Sequence, residues 1–225
     1  MDEENVLTSD WGEYSPATKQ SVFHYDVKLV NPKFTLTSDT LRYNTASKVA
    51  NIVGPSDIEG DNNHIYSELG FYNTQSGQAE LLNRSILTNE GKQLVGDSLF
   101  YDRNRGFGEA FYDVVFTDTV NKNMHTGNFC HYNELTKYAI ATDSAVAVDY
   151  SQGDSLFLHG DTLQLYTYFL DTDSMYRETR AYHKVRFYRT DVQGVCDSLV
   201  FSSKDSCLTM YRDPILWNGN QQLLG

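Results

Sequence analysis

The chain has 225 residues, of which 40% are hydrophobic, so it can bury a sizeable core in one or two domains. Its formal net charge of −12 argues against the basic face that nucleic-acid binding requires. The 16 tyrosines and 12 phenylalanines, with only 4 prolines, favour strands over helices or disorder. No run of about 20 apolar residues is present, so no transmembrane segment is predicted.

A short pattern recurs along the chain, in which a polar residue is followed four positions later by an aromatic or aliphatic one. Successive polar leaders are 29, 29, 29, 31, 33 and 36 residues apart. The leaders are Asp10, Asp39, Glu68, Asp97, Asn128, Asp161 and Asp197. This regularity predicts a repeat protein, built as a single domain over residues 1–225, in which each repeat packs on its neighbours.

The second repeat shows the predicted elements most clearly. Residues 34–37 alternate between apolar and polar, and Leu41 and Tyr43 resume the alternation on the opposite parity. Such a switch of parity predicts a bulge or corner at 38–40. Residues 44–47 then predict a turn, followed by a return strand over 49–53 that we expect to be ended by Gly54 to Asp57.

Later repeats follow the same plan, with turns predicted at 73–77, 102–106 and near 133–136. Their return strands pass through Ala79, Ala110 and Ala139. The sixth repeat is the longest and carries a predicted loop at 171–174. Because no segment has helical periodicity with caps, the predicted class is all-β. The expected architecture is an elongated, twisted, solenoid-like array of about seven strand-turn-strand repeats, open at its ends.

The residues that commonly carry chemistry do not converge in this sequence. One acidic leader per repeat favours a structural role at each corner, where its carboxylate would accept bonds from backbone amides. His125 and His131 are predicted to share one strand face while Cys130 points away, which argues against a metal site. Cys196 and Cys207 leave two alternatives, a disulfide across adjacent strands or separate thiols. Nucleotide-binding loops and a serine-hydrolase elbow are also missing, so no enzyme is predicted.

An apolar face of the sheet is the remaining candidate for function. A dry core is one interpretation, and a groove that never closes and accepts acyl chains is the other. The predicted inward residues are Phe34, Leu36, Leu41, Tyr43, Ile65, Leu69, Phe71, Leu94, Leu99, Tyr101, Met124, Tyr132, Leu156, Leu158, Leu163 and Leu165.

Several stretches resemble the repeats of the OstA-like, or LptA-like, organic-solvent-tolerance family, and most closely those of Bacteroidetes-type bacteria. They are NPKFTLTSDTLRYNT at 31–45, GPSDI at 54–58, GDSLFYD at 96–102 and GDSLFLHGDTL at 153–163. The likeness extends over roughly residues 27–201. It implies a twisted, open β-jelly roll that holds the acyl chains of lipopolysaccharide in its interior, without chemistry or a cofactor of its own.

The resemblance also implies a periplasmic location and a role in outer-membrane biogenesis. Such proteins bridge inner-membrane and outer-membrane components of lipopolysaccharide transport, and they associate with those proteins or with themselves through open edge strands. The sequence shows no signal peptide, so we expect the chain to be a segment of a longer exported protein.

A locally basic strand is a second candidate feature of the sixth repeat. Arg177, Arg180, Lys184 and Arg186 are candidate contacts for lipid phosphates, although a polar face of mixed charge is the favoured interpretation. Two other functions stay open for the whole chain. One is a structural or protein-interaction β-solenoid with a dry core, and the other is a carbohydrate-binding module or lyase.

Overall fold

The computed structural model describes residues 6–32, 34–60, 63–151 and 153–225. Every regular element in these ranges is a β-strand, and all strand pairings within each unit are antiparallel, which confirms the predicted all-β class. The described residues include no helix that is long and apolar enough to cross a membrane. The chain divides into two compact units, one ending at Gly108 and the other beginning at Glu109.

The first unit is a meander of long strands in which each strand pairs with the next. The short β1 and β2 pair with opposite halves of β3, and so together act as one interrupted strand. Its strands are β1 (Val6–Thr8), β2 (Trp11–Ser15), β3 (Gln20–Asn31), β4 (Phe34–Asn44), β5 (Val49–Gly60), β6 (Asn63–Asn73), β7 (Gln78–Asn89) and β8 (Lys92–Asp102).

The second unit follows the same plan, and the boundary between the units falls within β9. Near its end, β15 and β16 pair with opposite halves of β14, again as one interrupted strand. The strands are β9 (Phe107–Asp118), β10 (Asn123–Asn133), β11 (Tyr138–Asp149), β12 (Leu156–Tyr168), β13 (Tyr176–Tyr188), β14 (Val192–Ser202), β15 (Cys207–Tyr211), β16 (Ile215–Asn218) and β17 (Gln221–Leu224).

Long strands in both units bend at a corner near their middle. Between β3 and β4 the register passes from His24 opposite Thr40 to Val27 opposite Ser38, so two residues face the single Asp39. Because side chains alternate between the two faces of a strand, this mismatch reverses the parity of the inward residues on β4. The parity switch predicted at 38–40 is therefore confirmed.

The two residues that face a single one at most of these corners lie in the left-handed backbone region. Tyr25 and Asp26 have φ values of 63° and 47°, and the pairs at 83–84, 112–113, 143–144 and 183–184 repeat this conformation. In β5 the position is held by Gly54, with φ 89°, followed by Pro55. The strand therefore continues from Val49 to Gly60. Our expectation that Gly54 to Asp57 would end it was wrong, because these residues turn the strand without breaking its pairing.

Small polar side chains fill the inside of the corners in the first unit. Ser56, Ser67 and Ser85 are almost completely buried. The Ser85 hydroxyl donates to Ser67 Oγ at 2.9 Å, and the Ser67 hydroxyl donates to the carbonyl of Leu69 at 2.9 Å. The serines therefore satisfy backbone oxygens at the bend, where a buried unpaired carbonyl would be costly.

Hairpin turns at one end of the strands use an asparagine or aspartate as a local acceptor. Asn44 Oδ1 accepts from the backbone N–H groups of Ala46 and Ser47, both at 2.9 Å, and Asn73 does the same in the next repeat. Neighbouring turns are also joined, since the Thr74 N–H donates to the carbonyl of Lys48 at 2.9 Å. The turns predicted at 44–47 and 73–77 are confirmed.

Bending brings the two halves of each strand onto the same core. In the first unit Leu36 lies before the corner and Leu41 and Ile52 lie beyond it, yet all three belong to one buried cluster. In the second unit Val185 and Leu199 are joined in the same way. Each unit thus has an inner face, inside the bend, and an outer face.

We expect Gly54→Ala to destabilise the protein by about 2–4 kcal/mol, because an added Cβ would combine left-handed strain with a clash. That Cβ would lie 2.9 Å from the Cβ of Asp39. Gly153→Ala is the matched control, since Gly153 also has a positive φ, of 95°, but an added Cβ there meets nothing within 4 Å. Urea unfolding measures both variants, and equal losses would contradict the role of close packing at the corner.

Candidate functional site

The inner face of the first unit is lined by rows of apolar side chains that face one another across the strands. One row lies before the corner and joins Leu36, Ile58, Ile65, Leu87 and Leu94 through successive pairings. The second row lies beyond the corner and contains Phe23, Leu41, Ile52, Gly70, Leu81 and Leu99. These rows form the walls of a candidate apolar groove.

Aromatic residues form the rim of this inner face at the hairpin end. Tyr43, Ala50, Tyr72, Ala79 and Tyr101 are cross-strand partners in order, so tyrosine alternates with alanine along the rim. Tyr72 is 38% exposed and Tyr101 is 37% exposed, although both belong to the apolar inner face. The rim is therefore not covered by the opposite wall.

The second unit has an inner face of the same kind. One row joins Cys130, Ala141, Leu163, Ala181, Leu199 and Met210, and another joins His125, Ala147, Leu158, Phe187, Gly194 and Leu216. The two rows approach each other, because a Cβ placed on Gly194 would lie 3.1 Å from Met210 Cε. The rim residues Tyr132 and Phe201 are 42% and 39% exposed.

Thirteen of the sixteen predicted inward residues have inner-face positions, and three do not. Leu69 and Phe71 are partners of Val53 and Asn51, which belong to the outer face. Their assignment was wrong because it continued the parity of Ile65 across a corner that reverses it. Met124 also lies on the outer face, as the partner of Val148, while the next residue, His125, faces inward.

Several inner-face residues were missed by the sequence pattern. Ile52 and Phe187 are buried at 5% and 8% exposure, and Leu81 lies in the same row as Ile52. They all belong to the strands that place two residues at the corner against one on the neighbouring strand. The recurring motif marks only the partner strands, so applying the same corner rule to the intervening strands would have found them.

The expected grouping of the histidines was wrong for the same reason. The corner between Thr126 and Phe129 places His125 on the same face as Cys130, whereas His131 lies on the outer face. There His131 Nδ1 is 3.2 Å from Glu109 Oε1. Within the described ranges no group of three or more histidine, cysteine, aspartate or glutamate side chains is arranged to hold a metal ion.

All three cysteines are free, and the strand register excludes the disulfide alternative. Cys207 is opposite Ser202, whereas Cys196 is opposite Val185, six residues further along β14. This offset corresponds to about 20 Å, well beyond the span of a disulfide. Burial raises the pKa of the Cys130 thiol to about 11 and also raises the pKa of Cys196.

The acidic leaders lie at the corners, as predicted, but side chains supply many of their partners. Asp97 Oδ1 accepts from Arg84 at 3.1 Å, and Asp197 Oδ2 accepts from the hydroxyl of Ser198 at 2.8 Å. This hydrogen bond, with the nearby His183 and Arg212, lowers the pKa of Asp197. Of these three leaders, Asn128 alone makes the predicted backbone contact: its Oδ1 accepts a hydrogen bond from the N–H of Asp113 at 3.4 Å.

The four basic candidates do not converge on a common site. Arg180 is paired with Glu178 and its guanidinium lies 4.5 Å from the centre of the Tyr166 ring on the outer face. Arg186 also faces outward, opposite His159, while Lys184 lies at the corner. Arg177 lies near the hairpin end, opposite Thr167, and has inner-face parity.

Together, these features define a class: an all-β repeat protein of bent antiparallel strands, with an apolar inner face whose rim is exposed in each unit. Residues 1–39 match the family model described as OstA-like protein. The predicted resemblance is thus confirmed over this stretch, which overlaps the quoted motifs only at 31–39.

A similar solved structure is that of LptH from Pseudomonas aeruginosa, described as the LptA-homologous periplasmic component of its lipopolysaccharide transport device. The identity is 19% and the TM-score is 0.42, over 45% of this chain and 77% of that one. No match was found among curated protein sequences.

The cysteines provide a test of the two faces. At pH 8 we expect iodoacetamide to label exposed Cys207 first, and Cys130 at least about 100-fold more slowly. Because the pKa of Cys130 is about 11, only about a thousandth of this thiol is ionised to thiolate at pH 8. The thiolate fraction, and with it the labelling rate, should increase as the pH is raised towards 11. Mass spectrometry follows the labelling, with urea-denatured protein as the control. Equal labelling of both thiols in the folded protein would contradict this placement.

Proposed function

We propose that this chain is a non-enzymatic lipid-binding protein of lipopolysaccharide transport. In this proposal it acts in the periplasm, shields acyl chains in the apolar groove and bridges transport components of the two membranes. The single observation that carries the proposal is the exposed aromatic rim on an otherwise apolar inner face. The match of residues 1–39 to OstA-like proteins supports the choice of lipid.

Acyl chains fit the physical character of this inner face. Each methylene removed from water contributes about 0.8 kcal/mol, so even a partly enclosed wall of leucine and isoleucine can hold a chain. Tyrosine suits the rim, since its ring contacts hydrocarbon and its hydroxyl remains in water. The groove proposed for the chains is lined by Phe34, Leu36, Leu41, Tyr43, Ile65, Leu94, Leu99, Tyr101, Tyr132, Leu156, Leu158, Leu163 and Leu165.

The alternation of tyrosine and alanine along the rim supports separate positions for individual acyl chains. Tyr43, Tyr72 and Tyr101 are each two strands apart, a separation of about 9.6 Å, and Ala50 or Ala79 lies between them. An alanine leaves the space above it free of side chain. We therefore propose that chains enter between tyrosines, over the alanines.

Contacts to the lipid head group are proposed for a smaller set than the sequence indicated. Arg180 is engaged by Glu178, and the hydrogen bond to this carboxylate raises the pKa of the guanidinium. Arg177 is the one of the four basic candidates that combines an exposed position with inner-face parity. It is the residue we retain as a phosphate contact at the rim.

The interior can be tested with two aromatic residues that are adjacent in β8 and face opposite ways. We expect Tyr101→Asp to reduce lipopolysaccharide binding at least about 10-fold, because a carboxylate at the rim would have to be desolvated by the entering chain. Phe100→Asp, on the outer face, is the matched control and should bind like the parent. Native mass spectrometry with added lipopolysaccharide measures the bound fraction.

Circular dichroism should first establish that both variants are folded. A parent protein that is folded but binds no lipopolysaccharide would favour the alternative, a protein-interaction solenoid with a dry core. Equal loss in the two variants would show that binding does not use the inner face.

Association through edge strands is proposed as the means of bridging. Every residue of β17 is exposed, including Leu223 at 57% and Leu224 at 72%. An exposed strand edge offers backbone groups for pairing with another chain. The partner would be another transport protein or a second copy of this chain.

We expect the protein to form oligomers whose size increases with concentration in sedimentation velocity experiments. The double variant Leu223→Lys and Leu224→Lys should remain smaller at the same concentration, because charges on an edge strand oppose pairing. Lys204→Glu, which changes a charge on an exposed turn, provides a control. A parent protein that stays monomeric at all concentrations would contradict self-association.

A further inference from the structure

One imidazole lies in the apolar inner wall of the second unit. His125 belongs to the inner-face row that continues through Ala147, Leu158 and Phe187. Its ring centroid is 6.1 Å from that of Phe116. Among the described inner-face residues away from the strand ends, it is the one side chain that can exchange a proton near neutral pH.

The ring nitrogens of His125 have no hydrogen-bond partner within the described part of the chain. Asp118 is the nearby carboxylate, but its oxygens are used in its own turn. Oδ1 accepts from the N–H groups of Val120 and Asn121, at 3.0 and 2.9 Å, and Oδ2 accepts from Asn121 Nδ2 at 2.7 Å. The imidazole is half-buried, so its unpartnered ring nitrogens are within reach of a ligand on the inner face.

Burial lowers the pKa of His125, and this effect outweighs the opposing attraction of Asp118. The ring is therefore neutral at neutral pH, with one N–H donor and one acceptor nitrogen. A neutral imidazole suits a neutral polar group better than it suits a phosphate. Its opposite partner is Ala147, whose methyl group cannot satisfy the ring.

The depth of His125 indicates which part of an amphiphile could reach it. β10 begins at Asn123, so the imidazole lies two residues, or about 7 Å, from the end of the strand. A lipid whose head group stays in water beside this end of β10, away from the tyrosine rim, would place the first atoms of its chain at this depth. In an acylated lipid those atoms include a carbonyl oxygen, which is a hydrogen-bond acceptor.

We infer that His125 is a ligand-contacting residue that donates a hydrogen bond to the carbonyl of an acyl chain held in the groove. This inference rests on the proposed function, because it requires a lipid on the inner face. It adds a selectivity that apolar walls cannot provide, a preference for acyl over alkyl chains. The remainder of the chain would contact the apolar part of the wall, including Leu158.

Two single-chain probes that differ in one oxygen test this selectivity. They are 1-hexadecanoyl-lysophosphatidylcholine, which has an ester carbonyl, and its 1-O-hexadecyl ether analogue, which lacks it. Both carry the same zwitterionic head group, chain length and hydroxyl. Titration calorimetry below the concentration at which the lipids aggregate gives both affinities. We expect the parent to bind the ester about 3- to 10-fold more tightly, the range typical of one net hydrogen bond.

His125→Phe should bind the two probes equally, through weaker binding of the ester, and His125→Gln should retain part of the preference. His131→Phe is the matched control, since it makes the same change on the outer face of the same strand. Its preference for the ester should equal that of the parent. A preference that survives in His125→Phe would overturn the inference.

Imidazole ¹⁵N resonances of the parent protein provide a second test, which does not depend on the folding of a variant. The ester should shift the His125 resonances and the ether should shift them less. Equal shifts, or equal affinities of the parent for both probes, would defeat the assignment of His125 while leaving the proposed function intact. Binding of neither probe would defeat the inference, while the proposed function would be decided separately by lipopolysaccharide binding of the parent protein.

Discussion

The mismatch of two residues against one at each corner is the constraint on which both units depend. Where Tyr25 and Asp26 face Asp39, the strands bend and the inward parity reverses, so apolar residues on both sides of the bend face the same interior. Without this reversal, Leu36 and Leu41 would lie on opposite faces of the sheet. A single backbone device, repeated, thus converts flat hairpins into two walls that share one inner face.

The inside of a bend has little room, and this limits the residues that can occupy it. In the first unit several positions next to the corner are held by serines, including Ser56 and Ser67, whose hydroxyls also satisfy carbonyl groups there, while Val27 holds the position on β3. In the second unit Ala145 and Val185 take equivalent positions and contribute to the apolar core instead. These positions therefore take serine, alanine or valine, and their polarity differs from one corner to the next.

Much of this fold could be predicted from the sequence because its turns and corners are formed by residues close together in the chain. The turn at Asn44 follows from a side chain that accepts from amides two and three residues away, and the corner at Asp39 follows from a change of parity nearby. The inward face was harder to predict, since one uncounted corner residue exchanges the faces of a whole half-strand. Leu69, Phe71 and His125 were misassigned for this reason, whereas Leu41 was assigned correctly.

Corners and turns use few positions in each repeat, so the inner-face residues can vary without changing the backbone. This separation explains why the recurring motif identifies the architecture but says little about the chemistry of the groove. His125 and Leu158 occupy one row of the same wall, yet only the imidazole carries a hydrogen-bond donor. The motif cannot mark such a residue, because the residue belongs to a single strand. Selectivity in an array of this kind therefore depends on departures from the repeat, and those are the positions where function is best sought.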